Sequence, residues 1–282
     1  IIGAVEAVLV GYCLLGGGKR VIKATSTLVP LMGVIYISVA FILTIMHIDL
    51  VPGVVGRIFA EAFDFTAIFG GFAGSCMMFG IKRGLYSNEA GVGSAPNAAA
   101  AADVSHPVKQ GLVQMLSVFI DTLLICTATA FMCLSSGIEP TKELAGAPYV
   151  QAALAASMGD YAKLFITVSM VLFAFTTLLG NLYYVDNAFA YVLKHVPGKT
   201  FTLCYRILAC VLIFIGAGSS MGTMWDLADV TMGFMAIINL PVICILGGPA
   251  LRALDDYTEQ RNAGKNPEFK ASKIGLTQKL DY

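Results

Sequence analysis

The chain has little charge. Asp, Glu, Lys and Arg supply 13% of its 282 residues and hydrophobic side chains 57%, where an ordinary soluble domain carries about 25% charged residues. With a mean hydropathy of +0.78, such a chain would present large apolar patches to water, so its natural solvent is a bilayer. Acidic and basic residues balance at 18 each, leaving no cationic surplus, and no nucleic-acid partner is expected. Histidine is scarce: His47, His106 and His195 all fall near the edges of apolar runs. No HExxH or GxxxxGK[ST] occurs, which removes the zinc-protease and P-loop classes, and an enzyme is not expected. The cysteines (Cys13, Cys76, Cys126, Cys133, Cys204, Cys210 and Cys244) show no CxxC spacing and lie mostly inside apolar runs. They read as free thiols rather than disulfides or zinc ligands.

What the chain has in quantity is apolar run length. A crossing helix requires about 20 residues, and seven candidates fall at approximately 1–17, 26–48, 66–81, 110–136, 162–192, 201–219 and 225–248. The third is short and is interrupted by Gly70, Gly71 and Gly74; the fifth is long enough to tilt. The opening IIGAVEAVLV has no charged n-region, so it reads as a span rather than a signal peptide, and the chain as the C-terminal part of a longer membrane protein. Connections after spans one, three, five and seven, with the helix ends beside them, hold 15 of the Lys and Arg residues, and the opposite side holds only Arg57, Lys142 and Lys163. This bias places the C-terminus in the cytoplasm. The expected fold class is an all-α polytopic membrane protein, with a transmembrane bundle over 1–250 and a polar, mobile cytoplasmic tail over 251–282.

Between the third and fourth spans lies GIKRGLYSNEAGVGSAPNAAAAADVSHP, residues 80–107. The charge bias puts it at the inner face, with Lys82 and Arg83 able to meet lipid phosphates. Gly91, Gly93 and Pro96 enforce turns, and Ala98–Ala102 favour a short helix. A phosphate-cradling loop would need another glycine where Pro96 stands, or a lysine that does not follow; on spacing alone the segment is a structural elbow. On the opposite side, 49–65 and 138–160 each pair a Pro/Gly turn with a short apolar piece and read as interfacial helices.

The stretch GIKRGLYSNEAGVGSAPNAAAAA, followed by HPVKQG and SVFIDTLLICTATA, resembles the alanine/glycine:cation symporters, also called sodium:alanine symporters, to about residue 250. That resemblance implies sodium- or proton-coupled import of small neutral amino acids, alanine or glycine, across a cell membrane. It also implies a LeuT-type fold of inverted repeats in which the seven spans are core helices four to ten. The implied partners are the amino acid, sodium as coupling ion and membrane lipid, with no other cofactor or metal.

Within that frame the third span, IFGGFAGSCMMFG, is the candidate for unwound backbone at mid-membrane. Glycine in a helix interior costs up to about 1 kcal/mol against alanine, a cost that makes sense where backbone must approach a ligand, although small residues also serve close helix packing. Phe69, Gly70, Gly71, Phe72, Gly74 and Ser75 are the expected substrate-binding residues. In the fifth span Phe173, Thr176 and Thr177 share one helical face at i, i+3 and i+4, the spacing the resemblance implies for a sodium site built from one carbonyl and two hydroxyls. The competing reading is that each threonine bonds its own i−4 carbonyl. Asp121, a carboxylate inside SVFIDTLLICT, is expensive in hydrocarbon without a partner and is a further candidate sodium ligand; a structural hydrogen-bonding role is the alternative. Glu6 poses the same puzzle. Arg83, Asn88 and Glu89 in the elbow, and Trp225 at the head of the last span, are candidate gating residues, a belt position being the default for the Trp. Asn239-Leu240-Pro241 is expected to kink the last helix. The alternative for the whole is an ion channel or another polytopic protein whose glycines serve helix packing only.

Overall fold

The computed structural model describes residues 2–71, 76–89, 91–139, 141, 144 and 146–276. Every regular element among them is helical. In chain order these are α1 (Ile2–Leu15), α2 (Gly18–Met46), α3 (Val51–Ala62), α4 (Phe65–Gly71), α5 (Cys76–Ser87), α6 (Ala95–Ala99), α7 (Pro107–Phe119), α8 (Thr127–Leu134), α9 (Ala147–Met158), α10 (Asp160–Leu193), α11 (Lys199–Ala217) and α12 (Met221–Asn262). Among the described residues, five helical stretches are long and apolar enough to cross a membrane: Arg20–Met46, Pro107–Leu134, Asp160–Leu193, Lys199–Ala217 and Met221–Asn262; Gly3–Leu15 is a shorter apolar helix. The chain is an all-helical polytopic membrane protein. The third apolar run is present as α4 and α5, on either side of residues 72–75, which lie outside the described residues.

The helices gather into two compact units, Ile1–Ser87 with Ile120–Ser220, and Asn88–Phe119 with Met221–Tyr282. In the first, α1 lies antiparallel on α11. Gly3 faces Ala217, Gly11 faces Cys210, and the Leu14 carbonyl meets Arg206; the small residues let the two backbones approach. The buried face of α1 continues through Val10 and Leu14 onto Phe175 and Leu179 of α10. A second apolar seam joins α2, α8, α9 and α10 around Tyr36, Leu43, Met132, Leu154 and Ile166. Tyr36 anchors it: its ring packs edge-on to Phe173 at 5.5 Å, and its hydroxyl lies 2.8 Å from that of Thr129. A buried tyrosine hydroxyl needs such a partner.

Arg206 ties three helices of this unit. Its guanidinium donates to the Leu14 carbonyl at the end of α1 (2.6 Å) and to Asp186 of α10 (2.9 Å), and Tyr205 donates to the same carboxylate. A cation is favoured beside the last carbonyls of a helix.

In the second unit α12 carries the weight. Its 42 residues make a rod about 63 Å long at 1.5 Å per residue. The stretch from Val230 to Leu251, between Asp229 and Arg252, is free of charge over 22 residues, about 33 Å and close to the hydrocarbon thickness. Beyond it the chain does not trail away as the composition of the tail predicts. After Asn262 it turns back, and Asn266–Ile274 lie across the start of α7 and the end of α12. Phe269 N–H donates to the Ser105 carbonyl (2.9 Å), Lys109 reaches Asn266 (2.7 Å), Lys273 reaches Asp256 (3.2 Å) and Arg252 donates to the Ile274 carbonyl (2.9 Å).

Candidate functional site

The carboxylate at Asp121 lies in an unusual backbone. The helix that starts at Pro107 does not continue as α-helix; Ile120–Cys126 winds as a π-helix before α8 resumes. Such wide turns free backbone groups from the regular ladder and are frequent at functional sites. Asp121 accepts a hydrogen bond of 2.7 Å from Ser87, the last residue of α5, whose hydroxyl is also 3.3 Å from Cys126 Sγ. One neutral donor leaves most of the acceptor capacity of the carboxylate open.

On α10, Phe173 and Thr176 come together as the helical spacing predicts. Thr176 is buried, and its hydroxyl proton is shared between the carbonyls of Leu172 (3.0 Å) and Phe173 (3.2 Å). That is the self-bonding geometry expected of a membrane threonine; Met32 Sδ, a weak further acceptor for the same hydroxyl, lies at 3.9 Å. Thr177 lies on an exposed side of the same helix, so the two hydroxyls do not share one closed surface.

Of the expected substrate residues, Phe72, Gly74 and Ser75 lie outside the described residues. Phe69 and Gly71 are exposed near the end of α4, the Phe69 ring 87% accessible and stacked on Phe65 at 6.3 Å; Gly70 is helical beside them. Among the described residues, a Cβ at Gly71 would meet nothing within 4 Å. Among the gating candidates, Arg83 lies over the ring of its neighbour Tyr86 at 5.8 Å, Asn88 is half-buried, and Trp225 is 37% exposed near the start of α12.

Glu89 begins the region the sequence reading understated. It adopts φ +55, a left-handed conformation uncommon for a long side chain, and its carboxylate accepts the Ser94 hydroxyl. The loop is pinned to α12: Asn239 Nδ2 donates to the Gly91 carbonyl at 3.0 Å, and Gly93, at φ +95, lies so close that a Cβ would be 2.7 Å from Asn239 Cγ. Asn239 stands ten residues from Asp229 and thirteen from Arg252, near the middle of the charge-free stretch. The glycines of the elbow therefore pack against the centre of α12, and the segment runs beside that helix to His106.

At the lower end, His106 is fully buried. Its Nδ1 accepts the Val108 N–H (3.3 Å), which leaves Nε2 to face Asp256 (3.4 Å), and Tyr257 and Phe269 pack edge-on around the ring. Neither this box nor the Arg206–Asp186 pair was singled out from the sequence, because their partners lie 150 and 20 residues apart in the chain. Asn239 was singled out only as part of a kink. The signal that pointed to it was an amide in the middle of an otherwise apolar run, where a polar group must find a partner.

The model of the sodium:alanine symporter family matches residues 1–271. The chain is 43% identical over 97% of its length to the amino-acid carrier protein AlsT of Bacillus subtilis, covering 58% of that protein. It is 38% identical over 94% of its length to the sodium/alanine symporter AgcS of Methanococcus maripaludis, again covering 58%. To the sodium/proton-dependent alanine carrier protein of Bacillus sp. strain PS3 it is 38% identical over 98% of its length, covering 65%. These proteins move solutes across membranes and are not enzymes. The chain belongs to the sodium:alanine symporter family. It spans about three fifths of the length of the curated relatives it matches.

Proposed function

We propose that this chain forms the larger part of a secondary symporter that imports small neutral amino acids, alanine foremost and glycine with it, across the plasma or inner membrane together with sodium. The carrying observation is the family match over nearly the whole chain, joined to a carboxylate and paired threonines within apolar spans. In this reading the fold is LeuT-type and the C-terminus cytoplasmic. Sodium binds to the Phe173 carbonyl and the hydroxyls of Thr176 and Thr177, with Asp121 serving a second ion position. The amino acid docks at Phe69, Gly70, Gly71, Phe72, Gly74 and Ser75, a set of small and aromatic residues suited to a methyl side chain rather than a branched one. Both ligands together favour the occluded state, because only an interaction that differs between two states shifts their balance. Arg83, Asn88, Glu89 and Trp225 act in closure.

A second substrate reading has support of its own. The probable sodium/glutamine symporter GlnT of Bacillus subtilis is 42% identical over 95% of this chain, so a longer polar side chain is the competing cargo, and the PS3 relative's name makes the proton a competing ion. Uptake of radiolabelled alanine by the full-length carrier, measured in sodium and in choline with glycine and glutamine as competitors, separates these. Thr176→Ala combined with Thr177→Ala is expected to raise the sodium concentration for half-maximal uptake at least tenfold, and Asp121→Asn, which keeps an acceptor for Ser87, to do the same. Unchanged sodium dependence in both would remove the ion-site assignment.

A further inference from the structure

We infer that Glu89, held at the middle of the membrane by the contacts of its loop with Asn239, is a binding site for a monovalent cationic group: a sodium ion or the ammonium of an amino acid. The inference rests on the proposed carrier reading and adds a third cation position to it, on the loop rather than on α10 or the π-helical segment.

Depth comes first. Asn239 is near the centre of the 22 charge-free residues of α12, and the Gly91 carbonyl and Gly93 are in contact with it. Glu89 is two residues from Gly91, and the turn is closed by the Val92 N–H donating to the Glu89 carbonyl at 3.1 Å. The carboxylate is therefore placed in the middle of the bilayer, not at its edge. The other end of the same segment, His106, meets Asp256 and Tyr257, 17 residues further along α12 and about 26 Å away at 1.5 Å per residue.

Backbone comes second. Residues 88, 89 and 91–93 are turn and bend and Ser94 is irregular, none of them helix; residue 90 lies outside the described set. Non-helical backbone at membrane depth persists only where protein buries it or where it lines a water-filled cavity. Val92 is buried, but Glu89, Gly91, Gly93 and Ser94 are each partly accessible. Their partial accessibility leaves room for a small polar group beside the loop.

Charge comes third. A carboxylate in mid-membrane is costly and marks ion or substrate pathways. The partner Glu89 has is neutral, the Ser94 hydroxyl. None of the ion pairs formed by described residues includes Glu89. A carboxylate offers about four lone-pair positions, and a single hydroxyl fills one. The group that completes it is a small cation with room to enter, which in a carrier of this kind is sodium or the charged amine of the cargo.

The test uses the purified full-length carrier with Glu89→Gln and Glu89→Asp, sodium-22 binding in one arm and alanine binding at saturating sodium in the other. Expected is a loss of affinity of at least tenfold for Gln and of less than about threefold for Asp. A loss in the sodium arm assigns the ion, and a loss confined to the alanine arm assigns the ammonium. If Glu89 merely braces the turn, Gln keeps an acceptor for Ser94 and Asp is too short to reach it, so Asp would be the worse variant in thermal unfolding and in both binding arms; that order overturns the inference. Wild-type affinity in both arms for Gln also overturns it and leaves the carrier reading standing. A wild-type protein that binds neither sodium nor alanine removes both.

Discussion

Gly93 shows at the scale of one residue how tightly the loop and α12 are matched. Its φ of +95 is a conformation L side chains rarely adopt, and an added methyl would lie 2.7–3.0 Å from the side chain of Asn239. Gly93→Ala is expected to destabilise the protein by about 1–3 kcal/mol, read as a lower unfolding temperature of the purified carrier in detergent. Gly80 in α5 is the contrast: a Cβ there meets nothing within 4 Å, so Gly80→Ala should leave stability unchanged or raise it by up to about 1 kcal/mol. Glycine counted from composition does not distinguish these two. Only the neighbour at Gly93 does.

Among the elements, the stretch after α12 departs furthest from its composition. Polar and charged residues predict a mobile tail, yet Asn266–Ile274 close over the ends of α7 and α12 because the backbone groups there find fixed partners. The Ser105 carbonyl takes the Phe269 N–H, and Gln260 bonds both the carbonyl (3.0 Å) and the N–H (3.0 Å) of Glu268. His106 is the centre of this clasp. His106→Ala removes a fully buried ring and takes one partner from Asp256, a change expected to cost about 2–4 kcal/mol. Trypsin should then cut after Lys265 and Lys270 several-fold faster than in the wild type, and an unchanged digestion rate would show that the clasp does not depend on the histidine. The π-helical segment is the other surprise at this scale. The sequence reading picked out Asp121 as a carboxylate in an apolar span, but nothing in IDTLLIC announces a wide turn. The turn arises where the helix meets Ser87, and the hydrogen bond between them is a tertiary event.

At the scale of the whole molecule, the spans are covered with apolar side chains that face outward. Ile237, Ile238 and Ile245 of α12 are all 70–75% exposed, and no residue in the most apolar window of that helix is buried within the chain. In a soluble protein this surface would associate; here it meets lipid or neighbouring helices. The distribution of Lys and Arg predicts that the end of the chain lies in the cytoplasm. A C-terminal fluorescent-protein fusion to the full-length carrier should therefore fluoresce, and an alkaline-phosphatase fusion should be inactive. The reverse pattern would invert the predicted orientation.

The sequence by itself determined the solvent, the helical class and the family, because hydropathy over 20 residues and a long motif are properties of neighbouring residues along the chain. It also located Asp121 and the threonines of α10, since a polar group in a long apolar run stands out without any knowledge of its surroundings. The tertiary structure decided that the 80–107 segment lies against the middle of α12, that Asn239 holds it there, and that His106 and Arg206 join helices distant in the chain. Those are matters of which backbone groups find partners across space, and a partner 148 residues away, as Gly91 is from Asn239, leaves no periodicity in the sequence from which to read it.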